Sequence, residues 1–169
     1  MNNYTHANRH QCGITLLDLL ATLSISAILS TAAFSGLSEL KATFSVMADK
    51  NSLLTLVKSA RQTAITNNSY TTICHLKDNE CTDFLSPLTG FTDNNNNQIF
   101  DTDEIVIARA TIDQSANVYW NRHNRVRFEP NGRAGGFNGT LQYCKGHSSF
   151  NVIISRLGRL SVKNADLCD

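Results

Sequence analysis

The 169-residue chain carries 15 Lys and Arg against 14 Asp and Glu, a formal net charge of +1. So small an excess excludes a whole-surface field that would steer a polyanion to the protein. The length suits one compact domain plus an appendage.

The first predicted element begins at the apolar run Gly13 to Leu37. From Ile14 to Leu37 it holds one charge, Asp18. As a helix this run spans about 36 Å at 1.5 Å per residue, enough to cross a ~30 Å hydrocarbon core. A charge deep in a bilayer costs roughly 2.5–3.5 kcal/mol, so Asp18 is a functional candidate. Arg9 and His10 lie just before the run, which favours a cytoplasmic N-terminus. Gly13 precedes the apolar residues, whereas the small-residue cut site of a secretory signal follows them. Beyond residue 37 the helical pattern continues. Val46, Leu53, Val57, Ala60 and Ala64 form a one-face apolar stripe, and Asn67-Asn68-Ser69 ends it. The expectation is one helix over 14–66, with a transmembrane half at 14–37 and a second half that packs on the domain 67–169.

From Tyr70 onward the signals are strand-like. Tyr70–Cys74, Ile105–Ile107, Arg125–Phe128, Thr140–Tyr143 and Phe150–Ile154 are rich in β-formers or alternate, and Asn131-Gly132 and Gly135-Gly136 mark turns. A long helix laid on antiparallel strands is an α+β architecture. Within it, Asp93, Asn95, Asn97, Asp101 and Glu104 fall at positions 1, 3, 5, 9 and 12 of an EF-hand-like loop, with the Ile99 carbonyl available. Gln98 stands where such a loop has Gly, and Asn and Asp favour turns without any metal. These five residues are therefore weak metal candidates, and a plain hairpin loop is the expectation.

Charge is uneven along the chain. Glu39 to Glu104 holds five basic and nine acidic residues, and Ile105 to Asp169 holds nine basic and four acidic. The basic half, ending in Arg156, Gly158, Arg159 and Lys163 with Arg122, Arg125, Arg127 and Arg133 upstream, suits a polyanion partner. His75, His123 and His147 are scattered, without a nucleophile signature such as GxSxG. Neither an enzyme nor a cofactor is expected. The cysteines are Cys12, Cys74, Cys81, Cys144 and Cys168, none spaced as CxxC, which argues against zinc.

The residues Gly13-Ile14-Thr15-Leu16-Leu17-Asp18 resemble the class III signal of type IV pilins and type II secretion pseudopilins. The resemblance implies that 1–13 is a leader, that a prepilin peptidase cuts between Gly13 and Ile14, and that the new N-terminus is methylated. It also implies that the Asp18 carboxylate pairs with the N-terminal amine of a neighbouring subunit, since a buried charge with a partner is far cheaper than one without. Asp replaces the usual Glu at this position, and Ile14 replaces the usual Phe. Major pilins often kink the helix with a Pro. Here no Pro precedes Pro87, but Ser35-Gly36 is another known kind of kink site.

Removing the leader takes Cys12 with it and leaves four cysteines, fit for two disulfides in an oxidising compartment. Three pairings are open, and Cys74–Cys81 with Cys144–Cys168 is the favoured one. The order YTTICHLKDNEC, FTDNNNNQIFDTDEIVIA, VRFEPNGRAGGFNGTLQYC, FNVIISRLGRLSV is similar to the GspH/FimT group of minor pilins and pseudopilins. DNA-binding members carry Gly-Arg-x-Arg. Gly158-Arg159-Leu160-Ser161 keeps the Gly and the first Arg, with Arg156 and Lys163 nearby. The resemblance thus implies a pilin-like fold and other minor and major pilins as partners. It places the chain in the bacterial inner membrane, with its C-terminal domain in the periplasm, and in the pilus. One reading is a minor pilin that starts assembly at the tip of a type IV pilus, with double-stranded DNA as a further partner. The other is a GspH-like pseudopilin of type II secretion.

Overall fold

The computed structural model describes residues 15–82, 84 and 86–165, without the side chains of 31–36 and 38. The chain divides into two compact units, 1–42 and 43–169. Helix α1 runs Leu16–Asn67. Its end is set by Asn68, whose φ of 50° is left-handed, and by the Ser69 N–H donating to the Ala64 carbonyl at 3.2 Å. Among the described residues no helix is long and apolar enough to cross a membrane. Ile14 and the side chains of 31–36, which complete the run expected to span it, lie outside them. The leucines and isoleucines described from Leu16 to Leu40 are each more than half exposed.

Among the described residues the second unit holds ten strands: β1 (Thr71–Cys74), β2 (Leu76–Lys77), β3 (Glu80–Cys81), β4 (Leu88–Thr92), β5 (Val106–Ala110), β6 (Asn117–Trp120), β7 (Val126–Phe128), β8 (Gly139–Lys145), β9 (Ser148–Ile154) and β10 (Leu160–Asn164). They form two antiparallel four-stranded sheets, β5-β4-β1-β7 and β10-β9-β8-β6, and a small β2-β3 hairpin. The fold is α+β, as expected. All four residues of β1 are buried, because a central strand covered on both faces has no solvent side. In β9, by contrast, Phe150, Val152 and Ile154 are buried and the residues between them are not, the alternation of a half-covered strand.

On the helix, Leu53, Leu56, Val57, Ala60 and Ala64 are at most 3% exposed and join Ile73, Phe128, Tyr143 and Val152 in one core. Each large side chain so buried is worth roughly 1.5–3 kcal/mol. Two contacts bring helix and sheet close. The Thr71 hydroxyl donates to the Ala60 carbonyl at 3.1 Å. A Cβ on Gly90 would lie 2.9 Å from Leu56 Cδ1. That second contact explains why β4 was not anticipated: its Gly reads as a breaker, yet the absent side chain is what lets the helix approach. Strands β6 and β10 were missed as well. Both are sheet edges, where one neighbour suffices and polar residues are tolerated.

The Cys74–Cys81 disulfide joins the end of β1 to β3. Cys144 is also disulfide-bonded, but Cys168 lies outside the described residues.

One buried charge needs an account. Asp49 is 7% exposed. Its Oδ2 accepts from the Tyr143 hydroxyl at 2.6 Å, and both oxygens receive the Asp113 N–H at 3.4 Å. Asp113 in turn pairs with Lys145 at 2.7 Å, and Lys145 donates to Ser45 Oγ at 2.6 Å. Burial and the Asp49 carboxylate push the Tyr143 phenol well above its ordinary value. Lys145 and Ser115 hold Asp113 well below the carboxylate range.

Two outcomes follow for stability. Tyr143→Phe removes a hydrogen bond to a buried charge and should cost about 1.5–3 kcal/mol, read as a lower melting temperature with the β-sheet spectrum retained. Because folding lowers the Asp113 pKa, its contribution is complete above about pH 4 and is lost on acidification. Wild type should therefore lose more melting temperature between pH 5 and pH 2 than Lys145→Ala does. Parallel curves would show that the pair adds nothing.

Candidate nucleic-acid interface

Arg156, Gly158 and Arg159, three of the residues expected to meet a polyanion, lie on the turn that joins β9 to β10. That turn is closed on itself. Gly158 N–H donates to the Ser155 carbonyl at 2.8 Å, Ser155 N–H to the Arg159 carbonyl at 2.9 Å, and Arg159 N–H to Ser155 Oγ at 3.1 Å. Gly158 has φ +75° and is buried, and a Cβ there would lie 2.0 Å from the Gly132 carbonyl oxygen and 2.7 Å from Arg61 Nε. No other residue type fits, on either steric or conformational grounds.

Gly132 belongs to a second turn, closed by its own N–H donating to the Glu129 carbonyl at 2.7 Å. It too has φ +75°, and its missing Cβ would meet Ile65 Cδ1 at 2.6 Å. The two turns are joined by the Ala134 N–H donating to the Arg156 carbonyl at 3.1 Å. Arg61, from the helix, donates through Nε to the Gly132 carbonyl at 2.9 Å. Helix, Gly132 turn and Gly158 turn therefore meet at one point.

Around that seam Arg156 and Arg159 are exposed, as are Lys58 and Arg133. Among the described residues no ion pair engages them, and the described pair is the one between Lys145 and Asp113. An open groove of about 530 Å³ runs beside the seam, lined by Lys58, Ser59, Arg61, Gln62 and Thr63 from the helix and by Leu160 from β10. The structure thus brings Arg156, Gly158 and Arg159 together. Lys163 lies apart, four residues along β10 from Arg159, or roughly 13 Å at strand spacing.

The upstream arginines divide. Arg127 lies over the rings of Phe137, at 4.3 Å, and Tyr70, and its Nη1 donates to Asn96 Oδ1 at 2.5 Å. Arg125 stacks on the same Phe137 ring, and burial pulls its pKa down. These two are spent in packing. Arg122 lines a separate cleft with Trp120 and His123. Sequence reasoning missed Lys58 and Arg61. Their spacing on the helix carried no sign that a turn about 70 residues away would dock there.

The Asn/Asp loop closes on its own amides. Asp93 accepts from the Thr72 hydroxyl at 2.8 Å, and Glu104 from the Asn94 N–H at 2.8 Å and the Asp101 N–H at 3.2 Å. Asp101 Oδ2 accepts from Asn95 and Asn97 side chains, both at 2.8 Å. Gln98, where a calcium loop has Gly, makes the turn with φ 68°. Burial raises the Glu104 pKa against the pull of its two N–H donors. Among the described residues no group of three or more His, Cys, Asp or Glu is arranged to hold a metal ion.

Asp18 has a partner in its own chain. Thr15 N–H donates to Asp18 Oδ2 at 3.1 Å, the Thr15 hydroxyl donates to the same oxygen at 2.9 Å, and the Asp18 N–H donates to Thr15 Oγ1 at 3.3 Å. This is a reciprocal capping box with Thr15 at the N-cap. Gly13 and Ile14 lie outside the described residues.

Residues 50–158 match the family model described as "Type II transport protein GspH", a span that ends on the Gly158 turn. The crystal structure of the Pseudomonas aeruginosa type IV minor pilin FimU matches with a TM-score of 0.56 at 16% identity, covering 76% of this chain and 98% of that one. At that identity the likeness is one of fold. No curated protein sequence matches the chain.

The seam makes a contrast between glycines. Gly158→Ala forces a side chain onto the Gly132 carbonyl and should lower the melting temperature measurably. Gly136→Ala, where nothing lies within 4 Å, should leave it unchanged. Equal melting temperatures for the two variants would mean that the turns do not meet as described.

Proposed function

The chain belongs to the GspH family, and on that footing we propose that it is a minor pilin of a type IV pilus that helps start assembly at the pilus tip. One observation carries the reading. The leucines and isoleucines described from Leu16 to Leu40 are each more than half exposed, which no soluble unit sustains without a cover. Before assembly the cover is the inner membrane, with the second unit in the periplasm. Afterwards it is the helices of other minor and major pilins in the pilus. The Gly13–Asp18 signature supports the same route, with a prepilin peptidase removing residues 1–13 and methylating Ile14. The second reading, a GspH-like pseudopilin of type II secretion, is favoured by the description of the family itself.

Asp18 serves twice in this proposal. In the free subunit it caps its own helix. In the filament its charge answers the N-terminal amine of a neighbour. Asp18→Asn separates the two roles, because an amide oxygen still accepts from Thr15 but carries no charge. Asp18→Asn and Asp18→Ala should both enter the membrane and be poorly recovered in sheared pili, while Asp18→Glu is recovered like wild type. Full recovery of Asp18→Asn would leave capping as the whole role of the residue. Intact mass of membrane-extracted protein should show a chain starting at Ile14; a start at Met1 with the peptidase present would overturn the cleavage site.

The exposed Arg156 and Arg159, held on a closed turn, support DNA binding for uptake as a further role of the same pilin. Contacts from such side chains meet phosphates and do not read bases. Affinity for duplex should fall with salt at a slope of roughly −0.9 per phosphate neutralised. Arg159→Ala should weaken binding and Ser161→Arg should strengthen it. No binding of duplex by the full chain in detergent at low salt would remove this role.

A further inference from the structure

The cations beside the basic turn come from the helix, and they extend the DNA-binding reading on which this inference rests. We propose that Lys58 and Arg61 form, with Arg159, one composite groove for the phosphodiester backbone of duplex DNA, α1 supplying one wall and the start of β10 the other.

Lys58, Arg61 and Gln62 are spaced i, i+3 and i+4, so they share one face of the helix. That face forms the wall of the 530 Å³ groove, and Leu160 on the opposite side follows Arg159 directly in the chain. The groove therefore ends beside the turn that carries Arg159, whose neighbour Gly158 lies against Arg61 Nε. Its lining contains two cations, an amide and two hydroxyls, and no acid. The acid on the neighbouring turn, Glu129, points elsewhere, with Oε1 against Gly135.

Arg61 is the best prepared of these groups. Among the described residues its side chain makes one hydrogen bond, from Nε to the Gly132 carbonyl. That bond fixes the plane of the guanidinium and leaves both terminal nitrogens as a fork for phosphate oxygens. Less side-chain freedom is then lost on binding than at a wholly solvated arginine. Lys58 adds a mobile point charge one turn away. The absence of any aromatic side chain in the lining decides between duplex and single strand. Single-strand sites hold bases by stacking on rings, and this groove offers only phosphate contacts.

The test uses the full chain in detergent micelles, a labelled duplex and fluorescence anisotropy at low and moderate salt. Lys58→Ala removes one phosphate contact. It should weaken binding about eightfold near 0.1 M salt and make the salt slope shallower by about 0.9. Arg61→Lys keeps the charge but not the fork, and should weaken binding too, with its melting temperature recorded to detect loss of the Gly132 contact. Arg159→Ala reports separately on the turn. If Arg159→Ala weakens binding while Lys58→Ala leaves affinity and slope unchanged, the composite groove is overturned and the DNA-binding reading stands. If wild type binds no duplex at low salt, both fall. Tighter binding of a single strand of equal length would overturn the duplex as occupant, and equal affinity for a sulfated polysaccharide would overturn nucleic acid altogether.

Discussion

Two glycine backbones that meet over one arginine set the shape of this molecule's basic end. Gly132 and Gly158 approach so closely that a methyl group on the second would overlap the carbonyl of the first. Arg61 uses that same carbonyl as its acceptor. The contact ties the end of α1 to the loop after β7 and to the turn between β9 and β10. It thereby joins the helix to the reach of both sheets. Everything proposed about charge presentation depends on it, because it determines which cations share a surface.

Seen this way, the Gly of the Gly-Arg pair acts through packing and the Arg through exposure. The chain has nine basic residues after residue 104, yet they are not equivalent. Arg125 and Arg127 lie against Phe137 and donate to Asn side-chain oxygens. Lys145 is committed to Asp113. Of the others, Arg133, Arg156 and Arg159 gather at one seam, enlarged by Lys58 and Arg61 from the half of the chain whose net charge is negative. A count along the sequence therefore misplaces part of the positive surface.

The legible parts of the fold were those with a local cause. The helix stripe at Leu53, Val57, Ala60 and Ala64 was visible because burial repeats with the helical period, and all four are core. The alternation in β7, β8 and β9 was visible for the same kind of reason, as was the local Cys74–Cys81 bridge. Strand β4 was not, since Gly90 signals a break unless one knows that Leu56 lies above it. Of the candidate site, one half had a local sign in the sequence. Its turn carried a Gly-Arg signature, but its helix wall depends on a contact between residues 61 and 132 that no local pattern encodes. For Asp18 the sequence suggested one partner, an amine on another subunit, and the structure adds another, Thr15, through capping. The first rests on the resemblance of the Gly13–Asp18 stretch, and the second follows from an acid in the first turn of a helix.

If helix and turn present a single surface to DNA, a bound duplex covers both. Amide hydrogen exchange on the full chain in detergent, with and without saturating duplex, addresses it directly. Residues 58–63 and 155–160 should gain protection together. Protection confined to the Arg125–Phe137 region, or none anywhere while duplex is bound, would contradict it.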